Sequence, residues 1–548
     1  MKLKKGMGSW IGFLAALTLV LAGCGGSSDV NLNEGDEGDY GPSILASTPS
    51  ELGVGDALIV DFSSSQASLD FSGVETGAKF ILAVGSSSAL GNGATIQLSP
   101  DLSLPDPLAG EKAMEVEGEI MEDEGYGADE IFSAWLRAAE MDLDVNEVPS
   151  SVAFSESSMK GMSVKAQSLG DREVFRVLSS LSSPSSYVEV TGVVRHVGSN
   201  VLCYVDSRVS EDILSDADVD GLCGDFDGEV GEMAALLGDS SDVDDDGKVH
   251  VLMTPQINML GALGGGIITG YFYAADLYSR SGDNQVSNDR EIIYTLVPDP
   301  DGSWGAQVEK SFAMQNLLPA VLPHELQHAI SYNQHVFVNG GAAEENWLNE
   351  ALSHFMEDYM GHGRENPSRY SLYLSSPSTY GIVTSGSPNL YERGGSYLFL
   401  RYLYEQASDG EAFLSRLVQT GNGGVENLVE AFQGPSDMDE LQEMLERWAI
   451  ALAMTDRGIS SDYRFVYQPR VRDTDTGEWK GVCLACDPED GRGTQLAGVH
   501  LNNYGTGYLS ASVDGAAAKF FDVDTLPNEI NFDSASSQDN FAILVRYQ

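Results

Sequence analysis

The sequence predicts a multidomain chain in which an α+β core lies between two mainly-β ends. Three observations carry this. Short apolar runs broken by Gly, Ser and Asp recur at 44–105 and again from about 461, the pattern of strands and turns. Between them, stretches with helical apolar spacing alternate with apolar runs such as Val249-His250-Val251-Leu252-Met253. With 548 residues, 42% of them hydrophobic, the chain allows about three domains with full cores.

Taken from the N-terminus, residues 1–23 read as a signal peptide. Lys2, Lys4 and Lys5 precede an apolar run from Trp10 to Leu21 that is too short for a permanent membrane span. Leu21-Ala22-Gly23-Cys24 resembles a lipobox. That resemblance implies cleavage before Cys24 and a lipid such as palmitate on its sulfur; the alternative is an ordinary secretory signal with an incidental cysteine. The expected location is the cell envelope, with Gly25 fitting transfer to an outer membrane, or release outside the cell. Residues 24–43, rich in Gly, Ser, Asp and Glu, read as a disordered tether. The net charge of −53 favours solubility and cation binding and repels nucleic acid.

Residues 44–110 form an expected N-terminal β-domain, with strand candidates at Ala57-Leu58-Ile59-Val60 and Lys79-Phe80-Ile81-Leu82-Ala83-Val84. Residues 111–189 are an acidic spacer or a pro-segment, with one helix around 130–136. The core domain is expected over 190–460. Within it, two loops place aspartates alternately before a glycine: Asp216, Asp218 and Asp220 before Gly221, then Asp242, Asp244 and Asp246 before Gly247. Both read as the first half of a calcium loop without its glutamate at position twelve, or as solvated turns. Residues 264–272 are Gly-rich and fit either a sheet-edge strand that pairs with extended peptide, or a bulge or loop. Residues 291–297 read as a core strand.

His324-Glu325-Leu326-Gln327-His328 carries the chemistry. On a helix, positions i and i+4 share a face, so His324 and His328 can offer two imidazoles to one metal ion. Glu325 sits one step round, placed to act as a general base. Pro323 either starts this helix or kinks it. Further on, Leu348, Ala351, Leu352, Phe355 and Met356 line one helical face, and Glu350, His354 and Glu357 the opposite one. Glu350 is the expected third ligand, giving two histidines, one glutamate and an open position.

On these two stretches, together with residues 242–249 and 270–278, the sequence resembles the hyicolysin-type zinc metallopeptidases, a branch of the glutamate-zincins. The likeness covers roughly 190–460. It implies a zincin-like metallopeptidase core with a sheet-bearing upper lobe and a helical lower lobe. Many members carry a supporting acid four residues after the ligand glutamate; here that residue is His354, so support must come from elsewhere. Tyr391-Glu392-Arg393-Gly394 resembles the family's Tyr-x-x-Gly segment, in which the tyrosine donates to the oxyanion. Tyr391 is therefore a catalytic candidate; the alternative is a half-buried helix-start tyrosine.

Residues 461–548 are expected to form a C-terminal β-sandwich. Outside the cytoplasm, Cys203–Cys223 and Cys483–Cys486 are candidate disulfides, the second pair lacking the partners of a zinc site. The function expected is a zinc-dependent extracytoplasmic endopeptidase, with calcium as a second cofactor candidate, protein or peptide substrates and no nucleic-acid partner. No stretch is found that would place a glutamate for a free substrate amine. The alternative is a cell-surface binding or adhesion lipoprotein with a retained metal site. An intact Glu325 argues against it, because structural zinc needs no base.

Overall fold

The computed structural model describes residues 43–62, 65–89, 93–99, 127–141, 143, 167–183, 185–282, 284–486, 494–505, 507–534 and 539–548. The expected signal peptide, Cys24 and all but the last residue of the tether lie outside these, as does much of the spacer, including 111–126 and 144–166. No described helix is long and apolar enough to cross a membrane.

Four strands come first: β1 (Ala57–Ile59), β2 (Gln66–Asp70), β3 (Phe80–Ser86) and β4 (Ala94–Ser99). Helix α1 (Ala128–Met141) follows. The central sheet is then laid down by β5 (Arg172–Leu178), β6 (Tyr187–Val197), β7 (Val201–Asp206), β8 (Val249–Met253), β9 (Gly270–Phe272) and β10 (Ile292–Thr295). Helix α2 (Asp216–Leu237) separates β7 from β8, and α3 (Pro255–Leu263) leads towards β9. The strand order is β5-β6-β7-β8-β10-β9, so β9 forms one edge, antiparallel to β10. The sheet therefore begins at β5, before residue 190. Residues 216–220, read as a calcium-type loop, are instead the first turn of α2. The Ser215 hydroxyl accepts the Asp218 N–H at 3.2 Å, and the Asp218 carboxylate accepts the Ser215 N–H at 2.7 Å, an N-cap that spends the aspartate on the helix.

The helical part runs α4 (Lys310–Phe312), α5 (Leu318–Tyr332), α6 (Asn346–Tyr359), α7 (Asn366–Ser375), α8 (Leu390–Gln406), α9 (Gly410–Val418), α10 (Gly424–Ala431) and α11 (Leu441–Met454). After the short hairpin β11 (Val471–Arg472) and β12 (Trp479–Lys480) come β13 (Asn502–Asn503), β14 (Leu509–Val513), β15 (Ala517–Val523), β16 (Glu529–Ser534) and β17 (Asn540–Arg546).

The two β ends are one structure. One sheet runs β1-β17-β3-β15-β13, the other β14-β4-β16-β2. N-terminal strands pair with C-terminal ones, so β1–β4 and β13–β17 build a single sandwich where two separate β-domains, 44–110 and 461–548, were expected. Phe80, Leu82 and Val84 of β3 face its core with Leu544, Phe521 and Phe532. Ile81 and Ala83, on the other face, join the main core with Ile543 and Val545. Both faces of β3 are covered, which is why it reads as an unbroken apolar run.

Candidate metal centre

Helix α5 is buried along almost its whole length and packs against β9, β10, α2 and α6. Pro319 stands in its first turn, just after a π-helical turn at Ala313–Leu317. Pro323 lies inside the helix and denies the Pro319 carbonyl its usual donor. The helix neither starts at Pro323 nor stops there: it begins five residues earlier, continuing from a π-helical turn at Ala313–Leu317. His324, Glu325 and His328 keep their helical spacing. On α6 the apolar face of Leu348, Ala351, Leu352 and Phe355 is fully buried, and the opposite face with Glu350, His354 and Glu357 is buried too, because it meets α5.

His324, His328 and Glu350 each offer one ligand atom within 4.8 Å of the others. His324 Nε2 lies 3.6 Å from Glu350 Oε2, and His328 Nε2 lies 3.6 Å from Glu350 Oε1. The other nitrogen of His324, Nδ1, donates to Glu357 Oε1 at 2.8 Å, which fixes the ring. The same oxygen accepts from His354 Nδ1 at 2.8 Å. The support that sequence could not locate is therefore Glu357, seven residues after Glu350. Ser353 Oγ touches His328 Nε2 at 3.2 Å and donates to Gln327. Glu325 lies alongside, its Oε2 accepting the Phe272 N–H of β9 at 2.8 Å.

These charges oppose one another in a dry site. Burial works against a proton on His324, but Glu350 and Glu357 outweigh it and hold its pKa up at about 10. Burial, aided by Arg137, pushes His328 well below its ordinary value, so it is a neutral imidazole. Burial would raise Glu350; Arg393 and the two histidines hold it well below the usual carboxylate range. Burial keeps Glu325 raised, as a base needs. Glu350 Oε2 is buried without a hydrogen bond, a cost that a cation would remove. A neutral His328, an ionised Glu350, and a His324 ring that Glu357 locks by its Nδ1 and that would give up its Nε2 proton to a metal ion fit a two-His, one-Glu donor set.

No family model matches the chain. Over 258 residues it is 26% identical to the neutral metalloprotease ShpI of Staphylococcus hyicus, over 44% of this chain and 55% of that protein. This chain is similar to a metalloprotease. It spans about half the length of that curated relative.

Two arginines that sequence reasoning missed face this centre. Arg393 of α8 places Nη1 3.4 Å from Glu350 Oε2. Arg137 of α1, only 4% exposed, stands 3.6 Å from Glu325 and 3.8 Å from Glu350. Arg137 also pairs with Glu140, three residues on, at 2.6 Å, but nothing in the local sequence announces that either arginine faces the centre, because Glu325 and Glu350 are distant in the chain. Tyr391 is not brought in. It stacks on Tyr380 with ring centroids 4.1 Å apart, and the cleft is lined instead by Arg393, Arg369, Tyr271 and α1 residues. In the acidic loop, Asp246 is committed to His250 at 2.9 Å and to the Lys248 N–H. Asp242 and Asp244 gather instead with Glu291. Disulfides join Cys203 to Cys223 and Cys483 to Cys486.

Proposed function

We propose that this chain is a zinc-dependent endopeptidase with a zincin-like core, held at the cell envelope by lipid on Cys24. The observation that carries the reading is the buried group of His324, His328 and Glu350 with Glu325 beside it. Zinc, when bound there, polarises the scissile carbonyl and lowers the pKa of a water. Glu325 takes the proton of the attacking water and passes it to the leaving amine. Glu357 holds His324 by its Nδ1 proton and so fixes where Nε2 points. The α8 side chain that reaches Glu350 is Arg393, not Tyr391. Strand β9 leaves one edge outside the sheet, which suits an extended peptide bound by strand addition rather than by a free terminus.

In this state α1 occupies the approach to the centre. Phe132 packs on Tyr271 with centroids 5.2 Å apart, and Glu140 accepts the Ala274 N–H at 3.0 Å, just beyond the end of β9. The cleft left beside α1 holds about 70 Å³, well under the ~300 Å³ of a small-ligand pocket. This supports reading the helix of the 111–189 segment as a pro-segment element that keeps the enzyme latent.

The reading is tested with casein. Hydrolysis that appears once the segment around α1 has been cut, is lost on chelation and is restored by zinc, is the expected result. Intact casein after the segment around α1 has been cut would move the assignment to a surface binding protein.

A further inference from the structure

The loop at 242–247 has the alternating aspartates of a calcium loop but lacks its closing acid: position twelve is Met253, inside β8. The fold supplies an acid from elsewhere. Glu291, immediately before β10, brings a carboxylate oxygen within 4.8 Å of those of Asp242 and Asp244. It is 1% exposed. Its Oε1 accepts the Val243 N–H at 2.9 Å, tying it to the loop, while Oε2 is buried and makes no hydrogen bond. Among the described residues no lysine, arginine or histidine pairs with it, although Arg290 is its chain neighbour. Arg290 turns to Glu173 at 2.7 Å and reaches Asp244 only at 4.0 Å. Three carboxylates thus converge, one of them buried without a counter-charge, an arrangement that is disfavoured unless a proton or a cation neutralises it.

We propose that Asp242, Asp244 and Glu291 form a calcium site in which Glu291 replaces the acid that the loop itself lacks. The all-oxygen donor set selects a hard cation over zinc. His250 lies 3.6 Å from Asp244 and makes a neighbouring donor group with Asp244 and Asp246, but its Nε2 is paired with Asp246 at 2.9 Å and its Nδ1 faces Arg290 at 3.2 Å. Calcium, which takes 6–8 oxygens in flexible geometry, suits three carboxylates on a loop better than magnesium, which demands an octahedron. Bound calcium would clamp the loop before β8 to the start of β10, the strand that carries β9. The site is separate from the zinc centre and does not depend on the peptidase reading.

The test is calorimetric titration of CaCl2 into the full chain, after chelation and dialysis, with and without added zinc. One calcium per chain is expected in both cases, weakened at least tenfold in Glu291→Gln and in Asp242→Asn, with magnesium failing to compete at equal concentration. Asp242 is exposed, so Asp242→Asn decides the matter even if Glu291→Gln does not fold. No binding by the wild type, or unchanged affinity in Asp242→Asn, overturns the site.

Discussion

Glu357 binds both His324 and His354 through one oxygen. His354 is buried and held to about 4, so it is neutral, and the net charge of the pair rests with Glu357. Glu357→Gln should therefore loosen zinc about 10–100-fold, read by competition with a chromophoric chelator, while the fold persists. Undiminished affinity would show that His324 is oriented by something else. Elsewhere, burial pushes the Glu344 carboxyl up to about 7 from an unfolded value of 4.5. The folded chain then holds this proton to higher pH than the unfolded chain, so its contribution to stability falls as pH rises from 4.5 to about 7. His335 beside it is held to about 4 by burial and stays neutral across this window. Glu344→Gln cannot ionise. Its stability relative to wild type should rise across that window by up to about 3 kcal/mol, measured by urea unfolding at each pH. A pH-independent difference would contradict this. At this scale His324 and His328 were legible from their i, i+4 spacing, Glu325 from its place one step round the same helix, and Glu350 from standing opposite the apolar stripe of the second helix. Tyr391 was not: it is two residues, roughly 200° of helix, from Arg393, so only one of them can face the cleft. Arg137 was invisible because its partners come from α5 and α6.

Among the elements, α1 is the most consequential. Its helix was readable around 130–136 from composition, but the surface it covers was not, since that surface belongs to β9, α3 and α8. It bridges both sides of the cleft: Arg393 donates to Ser133 at 2.8 Å, and Glu130 accepts the Leu390 N–H at 3.1 Å. Replacing Phe132 and Leu136, both buried, with aspartate removes roughly 3–5 kcal/mol of apolar burial. The double variant should raise peptide hydrolysis tenfold or more and speed amide exchange over 128–141. Faster exchange without faster hydrolysis would show that α1 does not block substrate. The aspartates at 216–220 teach the complementary lesson. Alternate acids before a glycine look alike in a loop and in a capped first turn; a serine precedes both runs, Ser215 and Ser241, and only the structure shows that Ser215 caps a helix.

For the whole molecule, the termini are interdependent. Apolar runs and turn residues marked strands at both ends, but strand pairing across more than four hundred residues leaves no local signature, so one sandwich looked like two domains. β3 is flanked by β17 and β15. A chain ending at residue 460 would lose both neighbours and expose Phe80, Leu82 and Val84. Such a truncation should be insoluble or bind a hydrophobic dye strongly, whereas two independent domains would leave the remainder soluble and folded.

The account turns on Glu350 closing a zinc site with His324 and His328 while Glu325 stays out of it. Native mass spectrometry for zinc, paired with casein hydrolysis on the same samples, tests this most directly. Wild type and Glu325→Gln should each carry one zinc, with hydrolysis about 10²–10⁴-fold slower in Glu325→Gln, and Glu350→Gln should lose most of its metal. Zinc retained at full occupancy in Glu350→Gln, or full activity in Glu325→Gln, would contradict it.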